Sequence, residues 1–218
     1  MSEILLSPAE ARVVASLVEK SITTPAYYPM TTNALMLAAN QKTSRNPVLS
    51  LTEGEVGNAL NRLEELKLIG RDSFSSRAQK WRQQFLHQMM LKTPTQAVLV
   101  TLMLRGPQTF AELRSNAASL NGPNDDDGIR AALDDLADRA QPLAAQLPRA
   151  SGQSAVRYGH MLCGAEAFAA AAETVSSAPE RRVETGGRVE ALEARIAALE
   201  TRLAELEQSL GVGSTAGN

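Results

Sequence analysis

Ser7-Pro8-Ala9-Glu10-Ala11-Arg12-Val13-Val14 is echoed later in the chain by Thr93-Pro94-Thr95-Gln96-Ala97-Val98-Leu99-Val100, and the reading of the fold turns on this repetition. Each stretch has the composition of a helix start. A hydroxyl residue stands where its oxygen can accept from an orphan backbone N–H, proline fits the first helical position, and Glu10 or Gln96 is placed to reach back and close a capping box.

Working outward, the same order of elements follows both starts. In the first copy a helix over about 8–20 leads through the Pro25 to Pro29 turn to a helix over about 32–41 and a third over about 53–66, opened by the capping box Thr52-Glu53-Gly54-Glu55. Two short extended pieces, Leu68 to Arg71 and Lys80 to Phe85, then flank the Ser-rich stretch Asp72 to Ser76, which reads as a hairpin. The second copy runs through helices over about 94–104, 110–119 and 125–139, broken at Gly106-Pro107 and Asn121-Gly122-Pro123. It closes with a hairpin of Leu143 to Leu147 and Val156 to Leu162. Three helices closed by a two-stranded wing, occurring twice, predict a mainly α chain with short β-hairpins: two tandem winged helix-turn-helix domains, 1–90 and 91–165.

Composition bounds the remaining possibilities. The chain has 218 residues, 44% of them apolar, enough for ordinary cores. Its longest strongly apolar run, Ala97 to Leu104, is far short of the ~20 residues that cross a bilayer, and Glu3 stands where a signal peptide would be basic. A cytoplasmic protein without membrane contact is the expectation. A single cysteine, Cys163, forms no internal disulfide, and two histidines, His87 and His160, build no zinc cluster. No nucleophile elbow, phosphate-cradling glycine loop or histidine metal motif is present, so neither an enzyme nor a cofactor is expected.

After a short Ala-rich helix and a linker over 166–187, marked by Ser176-Ser177-Ala178-Pro179 and Gly186-Gly187, the pattern becomes heptad. Val189, Leu192, Ile196, Leu199, Leu203, Leu206 and Leu210 alternate spacings of three and four, the core stripe of a coiled coil over 188–211, followed by a disordered tail over 212–218. Arg188, Arg195 and Arg202 flank one side, and Glu193, Glu200 and Glu207 the other. Parallel pairing sets each Arg opposite a Glu, whereas antiparallel pairing faces like with like. A parallel homodimer follows, with a trimer left open by the absence of a buried Asn; a helix folded back on its own chain is the alternative.

The net charge of -2 gives no global pull toward a polyanion, but its distribution is uneven. Residues 1–90 carry 10 Lys/Arg against 8 Asp/Glu, whereas residues 166–218 carry 5 against 9. The third helix of the first copy leaves Asn58, Asn61 and Arg62 facing out, residue types that read base edges, among Glu53, Glu55, Glu64 and Glu65. Its wing adds Arg71, Arg77, Lys80 and Arg82 around Trp81, more often a core residue than a stacking platform, and Lys42 and Arg45 join the same side. The corresponding helix of the second copy, with Asp125, Asp126, Asp127, Asp134, Asp135 and Asp138, repels DNA and fits a protein partner. A DNA-binding role for Lys42, Arg45, Asn58, Asn61, Arg62, Arg77, Lys80 and Arg82 is therefore the leading expectation, and a protein scaffold without DNA the alternative.

Several segments resemble the YceH family of uncharacterised bacterial proteins: Leu6 to Val13, Thr23 to Pro29, Asn33-Ala34-Leu35, Asn40-Gln41-Lys42-Thr43-Ser44-Arg45-Asn46-Pro47-Val48, Leu104 to Thr109, and Arg157-Tyr158-Gly159-His160. The resemblance covers about residues 5–165. It implies a tandem winged-helix fold with a C-terminal coiled coil and brings no catalytic residue; Asn46 stands where members commonly carry Asp or Glu. Truncating the chain after Pro179 should halve its mass in solution, measured by light scattering, if the heptads pair two copies.

Overall fold

The Ser7 hydroxyl accepts from the Glu10 N–H at 3.2 Å while the Glu10 carboxylate accepts from the Ser7 N–H at 3.0 Å, so the first capping box closes and helix α1 runs Pro8–Thr23. Every residue from Ala11 to Val18 is buried. A helix hidden on all sides belongs at the centre of a body and not on its rim. The same holds for α5, Thr93–Arg105, where burial is continuous from Thr95 to Leu104. Its start differs from the sequence expectation: Lys92 occupies the cap, Thr93 is already helical, and no side chain caps the helix. Gln96 is drawn inside, 4% exposed, with its Nε2 unpartnered among the described residues. With its side chain drawn inside, Gln96 does not reach back to the cap, although Thr93 and Pro94 are themselves exposed.

In this computed structural model the described residues are 4–73, 78–148, 155–177 and 201–202. After α1 come strand β1 (Met30–Thr31), α2 (Thr32–Ala39), α3 (Glu53–Glu65), β2 (Ile69–Arg71) and β3 (Lys80–Gln83). A short helix α4 (Phe85–Gln88) leads to α5, and the order repeats with β4 (Gln108–Thr109), α6 (Phe110–Ala117), α7 (Asp126–Ala137), β5 (Ala144–Gln146) and β6 (Arg157–His160); α8 spans Gly164–Ser177. The molecule is thus mainly helical, with two small antiparallel sheets ordered β1-β3-β2 and β4-β6-β5. Each hairpin gains a third strand that the sequence reading lacked, paired Met30 to Trp81 in one sheet and Gln108 to Tyr158 in the other. Two-residue strands are too short to leave a period-2 signal. Both run directly into a helix, and their last residues, Thr31 and Thr109, cap α2 and α6.

One apolar core runs through both repeats, with Val14, Leu17, Leu35, Leu60 and Leu63 from the first joined to Leu99, Leu102, Leu113, Ile129 and Leu136 from the second. Residues up to Ser177 form a single compact unit; those beyond it form a second, of which only the helical Thr201–Arg202 are described. The heptad residues Val189 to Leu210 therefore lie outside the described residues. Where the chain passes from one repeat to the other, Arg139 Nη1 donates to Met89 O at 2.8 Å and Nη2 to Met90 O at 3.2 Å. Farther off, Ile4 and the Gln141 amide exchange two hydrogen bonds of 3.0 Å. No helix among the described residues is long and apolar enough to cross a membrane.

The loop between α2 and α3 is held from beneath by two buried arginines. Arg45 was expected on a nucleic-acid surface, but only 6% of it is exposed. Its guanidinium meets the Glu19 carboxylate on α1 in two bonds of 3.0 and 2.6 Å and also donates to Ala38 O and Ser44 O. Arg12 donates to Ala39 O at 3.3 Å and Pro47 O at 2.7 Å. Burial, then the neighbouring charge of Arg45, brings the Arg12 pKa down to about 10, so it stays charged at neutral pH. Burial alone would raise the Glu19 carboxyl; the hydrogen bonds and charge of Arg45, with those of Lys20, outweigh it and leave the pKa below the ordinary value. The loop also reaches α5, since Asn46 N–H donates to Leu104 O at 2.9 Å. Gly106, at φ +70°, lies so near that an added Cβ would stand 3.2 Å from Asn46 O, which makes glycine the fitting residue there.

Leu17→Ala and Leu99→Ala should each cost about 2–5 kcal/mol and lower the same unfolding transition in a denaturant melt, because both side chains are fully buried in one core. Two separable transitions, each sensitive to one variant, would contradict this. Glu19→Gln strands the buried Arg45 charge and should cost about 3 kcal/mol. Because the folded-state pKa of Glu19 is depressed, its contribution is present above the ordinary carboxylate range and is lost as pH falls through the folded value. The difference between wild type and Glu19→Gln in a urea titration should therefore shrink as the buffer is acidified.

Candidate nucleic-acid interface

Helix α3 is anchored before it can present anything. Thr52 and Glu55 close its capping box, and Val56, Ala59, Leu60 and Leu63 pack it into the core. The opposite face leaves Asn58, Asn61 and Arg62 exposed, together with Glu53, Glu55 and Glu65. On β3 the alternation of a strand sorts the neighbours: Lys80 is half-buried, Trp81 is buried and Arg82 exposed. Trp81 is a core residue, 5% exposed, its Nε1–H donating to Thr32 Oγ1 at 3.3 Å.

The basic residues on this face have acidic neighbours, one set by the i,i+3 spacing of a helix and two brought together only by the fold. Arg62 pairs with Glu65 at 3.0 Å, Arg71 with Glu64 at 2.9 Å, and Arg82 with the buried Asp72. An exposed pair such as Arg62–Glu65 contributes roughly 0–1 kcal/mol, little enough for a phosphate to replace the carboxylate. Two of the guanidinium groups also rest on rings: Arg71 lies 5.4 Å from the centroid of Trp81 and Arg82 lies 5.9 Å from that of Tyr28. Tyr28 is tied in turn to the strand, its hydroxyl oxygen accepting from Gln83 N–H at 2.6 Å. Tyr28 belongs to this face although sequence reasoning passed it over; its only signal was the aromatic pair Tyr27-Tyr28 before β1.

Of the expected residues, the structure brings Arg71, Lys80 and Arg82 together on the β2–β3 ribbon, and Asn58, Asn61 and Arg62 on α3, which Arg71 and Glu64 join to the ribbon. Lys42 is exposed on the loop after α2, Arg45 is interior, and Arg77 lies outside the described residues.

The matching helix of the second repeat has the opposite character. Asp125 caps α7 by accepting from Gly128 N–H at 2.6 Å, Asp126 pairs with Arg114 and Asp135 with Arg139. Among the described residues no three potential metal ligands cluster. Burial lowers the His160 pKa to about 4 and raises that of Cys163 to about 11, so at neutral pH the imidazole is uncharged and the thiol protonated.

Comparison with known proteins places these features in a lineage. Residues 6–153 match a family model described as a protein of unknown function, DUF480. A UPF0502 protein of Xanthomonas oryzae pv. oryzae is 44% identical over 196 residues, 87% of each chain. Relatives under the same name occur in Azoarcus sp., 45% identical over 174 residues (79% of this chain, 77% of the relative), and in Burkholderia orbicola, 48% identical over 163 residues (73% and 67%). The YceH resemblance agrees with this, and the chain belongs to the DUF480/UPF0502 family of bacterial proteins.

Proposed function

We propose that this chain is a non-enzymatic, homodimeric protein of two tandem winged helices whose first repeat binds DNA. Support for the winged-helix reading comes from the repeated order of helix, strand, two helices and hairpin, with the hairpin's second strand central in each sheet. The observation that carries the DNA reading is the rigid face on which Asn58, Asn61 and Arg62 of α3 stand beside Arg71, Lys80 and Arg82.

In this reading the two asparagines and Arg62 address base edges in the major groove, while the ribbon arginines and Lys80 take phosphates, helped by Lys42. Stacking on Trp81 and Tyr28 holds Arg71 and Arg82 in place, which reduces the entropy lost on binding. Glu53 and Glu55 line the first turn of α3 and oppose phosphate there. The helix therefore meets DNA through its middle and its C-terminal half. Pairing through Val189, Leu192, Ile196, Leu199, Leu203, Leu206 and Leu210 would double the contact and impose two half-sites.

A protein scaffold without DNA contact is the second reading, favoured by the carboxylate paired with each of Arg62, Arg71 and Arg82. Fluorescence anisotropy on a random duplex pool separates the two. The DNA reading expects affinity that falls steeply between about 50 and 200 mM salt, and a loss of about tenfold or more in the Asn61→Ala/Arg62→Ala variant. Flat curves at the lowest salt would leave the scaffold.

A further inference from the structure

The second repeat carries a cleft that neither the core nor the proposed DNA face uses. Its volume is about 320 Å³, and it lies between α7, the Asn121-Gly122-Pro123 turn and the start of α5 at Lys92 and Pro94. On α7 the wall is Gly128, Ala131 and Ala132. Gly128 lets the turn close on the helix, since a Cβ there would stand 2.7 Å from Pro123 Cβ. Small side chains on one wall and proline rings on the other leave an apolar recess at the lower end of the ~300–1,000 Å³ typical of ligand pockets.

The charge around it is mainly acidic, although the exposed Arg130 stands between Asp127 and Asp134 on α7, its guanidinium 5.3 Å from the centroid of the Phe110 ring. With 3.6 residues per turn, Asp127, Asp134 and Asp138 fall four before, three after and seven after Ala131, so they form a stripe along the edge of the recess. All three are exposed, and among the described residues none of them is in an ion pair. Asp135 lines the cleft itself and is only partly answered by Arg139 at 3.2 Å. The same arginine holds the carbonyls of Met89 and Met90, which brings Met90, 63% exposed, to this side of the molecule. Lys92 is the one cation among the lining residues.

From this arrangement we infer that the cleft is a docking site for a basic, amphipathic segment of a partner protein, an apolar side chain entering the recess while lysines or arginines meet Asp127, Asp134 and Asp138. A nucleic acid is repelled by the same stripe, and an acidic or uncharged peptide leaves it unanswered. The site is separate from the DNA face, so either can fail alone; it gives the second repeat a partner class that the scaffold reading leaves unnamed.

The test uses the full-length protein and a fluorescein-labelled helical peptide of leucine and lysine. One control replaces leucine by serine and a second replaces lysine by glutamate. The leucine/lysine peptide should bind about tenfold or more tightly than either control. Ala131→Trp, which fills the recess from an exposed position, should weaken it about tenfold; Asp127→Asn/Asp134→Asn/Asp138→Asn should weaken it and flatten its salt dependence. Circular dichroism reports whether each variant folds, and the triple variant, confined to exposed residues, keeps the test open if Ala131→Trp does not. Equal affinity for the serine/lysine control, or binding unchanged in both variants, overturns the inference. So does a wild-type mass in light scattering, without peptide, that falls by half in Ala131→Trp, because a second copy would then occupy the cleft.

Discussion

Helices α1 and α5 pack against each other at the centre of residues 4–177, each enclosed on every side, and the other described elements of that unit are arranged around them. A helix of this kind has no polar face to give to solvent, so neither repeat could expose its first helix without losing much of its stabilisation. The two repeats therefore share one core. Backbone bonds across the seam, such as Leu6 N–H to Leu162 O at 2.8 Å, are the local signature of that sharing.

The buried cations follow from the same centre. Arg12 and Arg45 fasten the α2–α3 loop to α1, with Glu19 as the carboxylate counter-ion bonded to Arg45. This determines how α3 leaves the loop, and hence which way Asn58, Asn61 and Arg62 point. It also accounts for the family-like segment Asn40 to Val48: Asn40 exchanges two bonds of 2.8 Å with Leu51, Arg45 turns inward, and Asn46 reaches α5.

The repeats have diverged in charge while keeping their architecture. Helices α3 and α7 occupy equivalent places, pack with the same inward pattern and begin at capped turns, yet one presents asparagine and arginine and the other aspartate. Equivalent positions thus carry opposite surface chemistry, because the inward apolar pattern sets the packing and leaves the outward residues free to differ. The first repeat adds cation–ring contacts at the ribbon, and the second a small-residue recess beside its acidic stripe.

Much of this was legible in the chain itself. Cap signatures at Ser7 and Thr52, proline and glycine punctuation, and apolar periodicity are local properties, and they placed the longer helices and both hairpins close to their observed limits. Assigning Trp81 to the core came from the same local reasoning. What needed the tertiary structure was every feature set by residues distant in sequence: the strands Met30–Thr31 and Gln108–Thr109, which exist only because β3 and β6 lie beside them; the inward turn of Arg45, decided by Glu19 on another helix; and the missing cap at Thr93, where Gln96 is drawn into the core. The pairing of Arg71 with Glu64 and the recess at Ala131 belong with these. A sequence states which groups are present and how they are spaced along one element, whereas burial and ion pairing depend on which elements meet.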